Sequence, residues 1–280
     1  MASEQPSKDH WSPQAYTAAA SFVPQLTTTV VKYLDPKPGD TILDLGCGDG
    51  VLTSQLATAV APEGRVFGVD ASESMISGAA SKYATSNLSF QQQDVTAFSP
   101  SAREQLLDGS WDKVFSNAAL HWILRKRETR TDVVRAAYEA LKPGGVFVFE
   151  LGGHGNVADV RVGLTAALVM QGVSVEEARE VSPWFFPSEE GMRGLLEGVG
   201  FAIERLELEY RPTRMTEKED GGTGLEGWVR LMAAVYVERA REKERYVRDV
   251  LALMEEVVTR EGDGSQWLGY VRLRGVARKA

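Results

Sequence analysis

Three glycines and an acid stand where an apolar run ends early in the chain. Asp44 lies within that run, and Gly46, Gly48 and Gly50 follow it at spacings of two residues. Glycine has no Cβ, so a turn built from it lets a ligand approach the backbone closely. An acid at this point suits an ammonium group better than a pyrophosphate, and the spacing differs from the G-x-G-x-x-G pattern of dinucleotide-binding turns. The pattern predicts a strand, a tight turn and a helix start that bind a cofactor carrying an amino-acid group; a tight turn without a ligand is the alternative.

Two further acids follow predicted strands. Asp70 comes twenty residues after Gly50, and a carboxylate there can accept hydrogen bonds from both hydroxyls of a ribose. Asp94 can accept from an adenine amino group while the backbone N–H of Val95 reaches a ring nitrogen. A helix N-cap or solvated acid is the alternative for Asp70, and a turn aspartate is the alternative for Asp94. Met75 lies on the apolar face of a predicted helix. Its side chain could contact the adenine or pack in the core.

Two of the three histidines, His121 and His154, follow the fourth and fifth predicted strands. Histidine titrates near neutral pH and is a natural general base. We therefore predict that one of the two acts as a base or orients the substrate, against the alternative of a structural histidine. The single cysteine, Cys47, is expected to fill space in the glycine turn.

Arginine and aromatic side chains are the candidates for substrate contacts. Arg230 follows a glycine-rich segment and, with two further arginines, could bind a carboxylate through paired hydrogen bonds; a solvated helix face is the alternative. Aromatic side chains could form the wall of an apolar pocket or belong to the core. These aromatic residues are Trp11, Tyr16, Trp122 and Trp184.

Strand and helix patterns alternate over the first 150 residues, which predicts a parallel sheet covered by helices on both faces. The predicted strands are 41–45, 65–70, 88–92, 113–116 and 146–150. Later residues predict helices over 157–171, 175–181, 187–199, 228–240 and 242–260, strands over 201–210 and 266–277, and a flexible, lid-like loop over 211–227. Ligands of such sheets bind beyond the carboxyl ends of the strands, where the polar residues above collect.

Composition narrows the classes of partner. The chain has 280 residues, of which 43% are hydrophobic, and its net charge is −8. The negative charge disfavours a nucleic-acid partner. One cysteine excludes an internal disulfide framework and a multi-thiolate metal site, so we expect no metal. No apolar run reaches membrane-spanning length and the first ten residues are polar, so we expect a cytoplasmic protein without a membrane partner. Its oligomeric state is left open.

Five motifs over residues 41–150 together resemble the class I S-adenosylmethionine-dependent methyltransferases: ILDLGCGDG, VFGVDAS, QQDV, WDKVFSNAALHWI and LKPGGVFVFE. The flanks, including the Gly227-Trp228 and Arg230 pattern, are similar to the trans-aconitate methyltransferase group and related small-molecule enzymes. The resemblance implies a Rossmann-like, doubly wound sheet of seven mostly parallel strands, with an antiparallel last strand and a helical cap. It also implies S-adenosyl-L-methionine as cofactor, S-adenosyl-L-homocysteine as product, and contacts from Asp44, Gly46, Gly48, Asp70, Asp94 and Asn117. The further expected cofactor contacts are Cys47, Ala71, Met75, Val95 and Tyr16.

These observations lead to one main hypothesis about function. We expect methyl transfer to a small-molecule acceptor, at a carboxylate or hydroxyl oxygen, with His121 and His154 as catalytic candidates and Trp11, Trp122 and Arg230 as substrate contacts. Residues 1–34 are expected to form a helical cap segment. Residues 35–280 are expected to form the methyltransferase domain, with helical or lid insertions at about 151–200 and 211–260. The alternatives are a protein or peptide methyltransferase, a nucleotide-dependent oxidoreductase and a non-catalytic binding module.

Overall fold

A seven-stranded sheet is the framework of the protein. The computed structural model describes residues 28–215 and 224–280. The strands are β1 (Thr41–Leu45), β2 (Arg65–Asp70), β3 (Leu88–Gln92), β4 (Trp111–Asn117), β5 (Leu141–Gly152), β6 (Phe201–Arg214) and β7 (Trp267–Lys279). Their order is β3-β2-β1-β4-β5-β7-β6. Strands β1 to β5 pair in parallel, whereas β7 runs antiparallel to both β5 and β6. The predicted fold class, including the antiparallel last strand, is confirmed.

Twelve α-helices lie within the described residues, and one 3₁₀ turn (Arg127–Thr129) precedes α6. The helices are α1 (Thr28–Leu34), α2 (Val51–Val60), α3 (Glu73–Tyr83), α4 (Pro100–Leu106), α5 (Leu120–Ile123), α6 (Arg130–Ala140), α7 (Ala158–Met170), α8 (Val175–Glu180), α9 (Glu189–Glu197), α10 (Gly224–Met232), α11 (Ala234–Arg239) and α12 (Lys243–Val258). None of the helices in the described parts of the chain has the length and apolar character required to cross a membrane.

Alternate residues of the central strands point to two different cores, as the period of a strand requires. Ile42 and Phe115 pack with α1 and α2 on one face of the sheet. Leu43 and Val114, their neighbours in sequence, pack with α4, α6 and α9 on the other face. Both faces of the sheet are therefore covered, and the carboxyl ends of the strands remain as the place for a site.

Five helices, α7, α8 and α10 to α12, enclose a third core. It contains Val160 and Leu164 of α7 and Tyr246 and Met254 of α12, all of them buried. This core touches the sheet through Tyr270 of β7. Helix α9 falls within the predicted insertion at 151–200, but it packs against the sheet with the second core instead. Of the predicted cap segment 1–34, residues 1–27 lie outside the described residues, and 28–34 form α1, which packs on one face of the sheet. That the remaining helices cover the site stays a prediction.

The predicted loop over 211–227 is wrong at both of its ends. Strand β6 continues to Arg214 because it keeps pairing with β7, up to Trp267, and α10 begins at Gly224. Pro212 made a loop plausible, but proline is tolerated on an edge strand, and β6 is the edge of this sheet. The single helix predicted over 228–240 is two helices, and the short helices α4 and α5 were not predicted.

Candidate active site

The glycine turn after β1 uses its three glycines for different purposes. All three have a positive φ, between 55° and 79°. A Cβ added to Gly46 would lie 2.2 Å from the Cβ of Ala119, and one added to Gly50 would lie 2.8 Å from that of Ala79. A Cβ on Gly48 would meet no atom within 4 Å. Packing therefore explains Gly46 and Gly50, whereas Gly48 faces space that a ligand can enter.

Asp70, at the end of β2, holds the glycine turn through its carboxylate. The backbone N–H of Gly48 donates to Oδ2 at 3.0 Å, and the N–H of Ser72 donates to Oδ1 at 2.9 Å. The hydroxyl of Ser72 in turn caps α3 by accepting from the N–H of Met75. Asp70 thus joins the ends of β1 and β2 at the place where Gly48 faces open space.

Asp44 is a buried acid directly beneath the turn, with 3% of its surface exposed. The hydroxyl of Thr53 donates to its Oδ2 at 2.8 Å. Burial raises the pKa of Asp44 to about 7, and the charge of Asp70 acts in the same direction. Burial, Asp44 and Asp70 also raise the pKa of the Cys47 thiol, so Cys47 is held as the neutral thiol. The concentration of negative charge favours a positively charged ligand at this turn.

The remaining cofactor candidates divide into exposed and buried residues. Asp94 is exposed, and its Oδ1 accepts from both the N–H and the hydroxyl of Thr96 at 2.8 Å, the geometry of a turn aspartate. Val95 and Met75 are buried, while Ala71 is exposed and its carbonyl accepts from the side chain of Gln92. Adenine contacts for these residues stay predictions.

Asn117, the last residue of β4, has an unsatisfied polar atom. Its Oδ1 is buried and finds no hydrogen-bond partner among the residues that the structure describes. The following residue, Ala118, has a φ of 56°, in the left-handed region that favours glycine. Its N–H donates to the carbonyl of Glu150 at 2.8 Å, which holds the turn against β5. Because Ala119 touches the glycine turn at Gly46, the unsatisfied oxygen lies where the turns after β1 and β4 meet.

The two histidines have different surroundings. His121 is buried, and its Nδ1 accepts a hydrogen bond from the N–H of Gly152 at 3.3 Å. Burial, helped by the charge of Arg272, lowers the pKa of His121 to about 3. The imidazole is thus neutral, and the bond to Nδ1 assigns the proton to Nε2. His154 is exposed, and its backbone N–H donates to the carbonyl of Pro187.

Aromatic rings surround His121. The ring centroids of His121 and Phe186 are 5.8 Å apart, and those of Trp122 and Trp184 are 5.5 Å apart in an edge-on arrangement. Trp184 also stacks on Phe186. Trp184 is buried in the helical core, whereas Trp122 and Phe186 are only half-buried. The backbone N–H of Phe185 donates to the carbonyl of His121, which ties these rings to the end of β4.

Arg230 does not contact the aromatic rings around His121. Its guanidinium donates to Glu226 at 2.8 Å and to Glu244 on α12, on the exposed surface of the helical core. The predicted substrate contact of Arg230 therefore lacks support, and the alternative of a solvated helix face describes it. Trp11 and Tyr16 lie outside the residues that the structure describes.

A buried charge cluster at the end of β5 was missed by sequence reasoning. Glu150 is 2% exposed and contacts one arginine of β6 and two of β7. Arg211 donates to its Oε1 at 3.1 Å, Arg274 donates to its Oε2, and the Nε of Arg272 lies 3.8 Å from Oε1. The cluster adjoins His121 through Gly152, which pairs with Arg272. No local sequence pattern predicts this charge cluster, because its contacts depend on the register of β5 against β7.

The residues present are suited to S-adenosylmethionine on three counts. There is open space over Gly48, negative charge from Asp44 and Asp70 for a cation, and an unsatisfied acceptor on Asn117 for a donor group. Half-buried aromatic rings pack beside His121, next to the same strand ends. The arrangement can place a cationic methyl donor beside a more apolar cluster of side chains.

Comparison with known proteins agrees with this geometry. Residues 36–171 match the family model described as a methyltransferase domain. An uncharacterized methyltransferase of Schizosaccharomyces pombe is 35% identical over 97% of this chain and 99% of its own length. The trans-aconitate 2-methyltransferase of Deinococcus radiodurans is 31% identical over 56% of this chain and 54% of its own length.

A solved structure shows the same fold. The crystal structure of a putative methyltransferase from Bacillus halodurans superposes with a TM-score of 0.58, covering 91% of this chain and 99% of that chain, at 17% identity. At that identity the likeness concerns the fold alone. The match to the Schizosaccharomyces pombe relative covers nearly all of both chains, and it is sufficient to show the family. The chain belongs to the methyltransferase family.

Proposed function

We propose that this protein methylates an oxygen atom of a small-molecule acceptor, and that the acceptor group is a carboxylate. The observation that carries the choice is the state of His121. A hydroxyl acceptor needs a base to take its proton, and a buried imidazole with a pKa of about 3 is unsuited to that task at neutral pH. A carboxylate is already deprotonated and needs no base. The names of two kinds of relative, trans-aconitate 2-methyltransferase and malonyl-[acyl-carrier protein] O-methyltransferase, are in keeping with an acidic acceptor.

When bound, S-adenosylmethionine supplies a methyl group on a positively charged sulfur. We assign the ribose hydroxyls to Asp70, because its carboxylate is already oriented by Gly48 and Ser72. Asp44 favours the positive charge of the cofactor, and Asn117 offers its buried Oδ1 to a donor. Asp94 and Val95 keep their predicted place beside the adenine.

His121 orients the acceptor in this proposal. With Nδ1 occupied by the N–H of Gly152, its Nε2–H is the group that can donate to an acceptor oxygen. Positioning supplies most of the rate when the methyl donor is already activated. If the acceptor were a hydroxyl, the exposed His154 would be the candidate base. Trp122 and Phe186 would bound the acceptor pocket, and the apolar walls would exclude water.

The proposal also includes the class of acceptor, the part of the chain that covers the site and the location in the cell. We propose a small-molecule acceptor, because the side chains packed around His121 are aromatic. The helices of the third core would cover the site. A cytoplasmic location is supported by the single cysteine, since a disulfide framework within the chain is excluded.

The chemistry of the product tests the proposal. The purified chain would be incubated with S-adenosylmethionine labelled in the methyl group and a panel of mono-, di- and tricarboxylic acids and phenols. We expect label in an acid of the panel, released as methanol by mild alkali, because methyl esters hydrolyse there and methyl ethers do not. Protein saturated with S-adenosylhomocysteine is the control. Alkali-stable label on a phenol, or label only on added peptides, would contradict the proposal.

A further inference from the structure

One cation beside the proposed acceptor pocket has no charge partner among the residues that the structure describes. Arg161 lies in the first turns of α7 and is half-buried. Its Nε is buried without a hydrogen bond, and the guanidinium forms no ion pair with any residue in 28–215 or 224–280. A partly buried charge left unpaired costs free energy, because it loses water without gaining a counter-ion. By contrast, the buried guanidinium of Arg274 is paired with the carboxylates of Glu150 and Glu209.

The position of Arg161 on its helix makes the lack of a partner more notable. The N-terminal end of a helix carries a partial positive charge, and cations there are disfavoured. Arg161 is the fourth residue of α7, a helix of thirteen residues. Asp159 supplies an acid in the first turn of α7, but it forms no ion pair with Arg161 in the described part of the chain. The guanidinium therefore keeps a positive charge that an anion can meet.

Arg161 faces the same ring as His121. Its Cζ lies 5.5 Å from the centroid of the Phe186 ring, and the centroid of His121 lies 5.8 Å from that same ring. Phe186 packs directly on the end of β5, since a Cβ on Gly152 would come within 2.5 Å of its ring. The unpaired cation is thus one aromatic ring away from the group that we assign to orient the acceptor.

We propose that Arg161 is a specificity-determining residue that binds an anionic group of the acceptor other than the oxygen that is methylated. This inference rests on the proposed function and adds a substrate class to it. The acceptor is an acid with a flat, apolar body that lies along Phe186, with its carboxylate on Arg161 and a second oxygen function directed toward His121. A guanidinium matches a carboxylate with two parallel hydrogen bonds. It also withdraws electron density from that carboxylate, so the methylated oxygen is a different one.

Binding of 4-fluorobenzoate and its neutral analogue 4-fluorobenzamide, followed by fluorine NMR, tests this inference. The full chain, saturated with S-adenosylhomocysteine, would be compared with Arg161→Gln and Arg161→Lys. We expect 4-fluorobenzoate to bind wild type more tightly than the amide does. Arg161→Gln should weaken benzoate binding about tenfold or more, the loss of a charge-assisted contact, and leave the amide unchanged. Arg161→Lys should lie between the two. Arg193→Gln, an exposed arginine paired with Glu197, is the matched control and should change neither.

Several results would overturn the assignment. Equal binding of the acid and the amide to wild type, no binding of the acid, or an Arg161→Gln variant that binds the acid as wild type does would each contradict it. Calorimetric binding of S-adenosylhomocysteine is measured on the same samples. If the wild-type chain does not bind S-adenosylhomocysteine, the proposed function itself is refuted. If it binds S-adenosylhomocysteine but does not prefer the acid to the amide, only the role of Arg161 is refuted.

Discussion

Replacing Glu150 by glutamine is expected to lower the free energy of unfolding by roughly 3–5 kcal/mol, the cost typical of removing one partner from a buried charge pair. Glu150 is 2% exposed and lies against Arg211, Arg272 and Arg274. Glutamine has the same shape but no charge, so the arginines keep their burial and lose their shared counter-ion. Chemical denaturation of both proteins, in the same buffer and at the same pH, measures the difference.

Glu204→Gln is the matched control for this result. Glu204 is on the same sheet and pairs with Arg278, but both side chains are more than two-fifths exposed. Exposed pairs contribute about 0–1 kcal/mol, so the control should change stability little. Equal effects of the two substitutions would show that the buried cluster is not held by Glu150.

Replacing Asp44 by asparagine is expected to weaken binding of S-adenosylmethionine by about ten- to a hundredfold at pH 8, and by much less at pH 6. In the protein without cofactor, the pKa of Asp44 is raised to about 7, so its charge is largely present at pH 8 and largely absent at pH 6. A charged carboxylate favours the cationic cofactor, and the loss of a charge-assisted contact is about 1.5–3 kcal/mol. Calorimetric titration at the two pH values measures the effect.

The raised pKa of Asp44 also changes how the stability of the cofactor-free protein depends on pH. A carboxyl whose pKa is raised on folding contributes stability that is fully present below its unfolded pKa near 4 and is lost as pH rises through about 7. Wild type should therefore lose stability between pH 5 and 8 relative to Asp44→Asn. Asp49→Asn, in the same turn, is the control. Parallel pH profiles of wild type and Asp44→Asn would contradict the buried, raised pKa.

The positions of the candidate cofactor residues at the strand ends could be predicted from sequence because their signals are local. Asp44, Gly48 and Asp70 each sit at a strand end, and the register of parallel strands brings such ends to one edge. Even here the structure adds a relation that no pattern contains. Asp70 accepts from the N–H of Gly48, so the second strand end holds the turn of the first. Gly46 also has a specific reason, the close approach of Ala119.

The acceptor half could not be predicted in the same way, because it depends on distant contacts. The pairing of β5 with β7 brings Glu150 to Arg274, 124 positions later in the chain. The burial of His121 depends on Gly152 and Phe186, which are close only in the folded protein. For Arg230, a local signal was available. Glu226 stands four residues before it, a spacing that predicts an ion pair on one helix face rather than a substrate contact.

Titration of S-adenosylmethionine into the wild-type chain and into Asp70→Ala tests the central claim, that the turn after β1 and the end of β2 hold this cofactor. We predict one bound molecule in wild type, no comparable binding of NAD, and an affinity at least tenfold weaker in Asp70→Ala, since charge-assisted hydrogen bonds of roughly 1.5–3 kcal/mol are removed. Unchanged affinity in a folded Asp70→Ala variant, or a wild-type preference for NAD, would contradict the account.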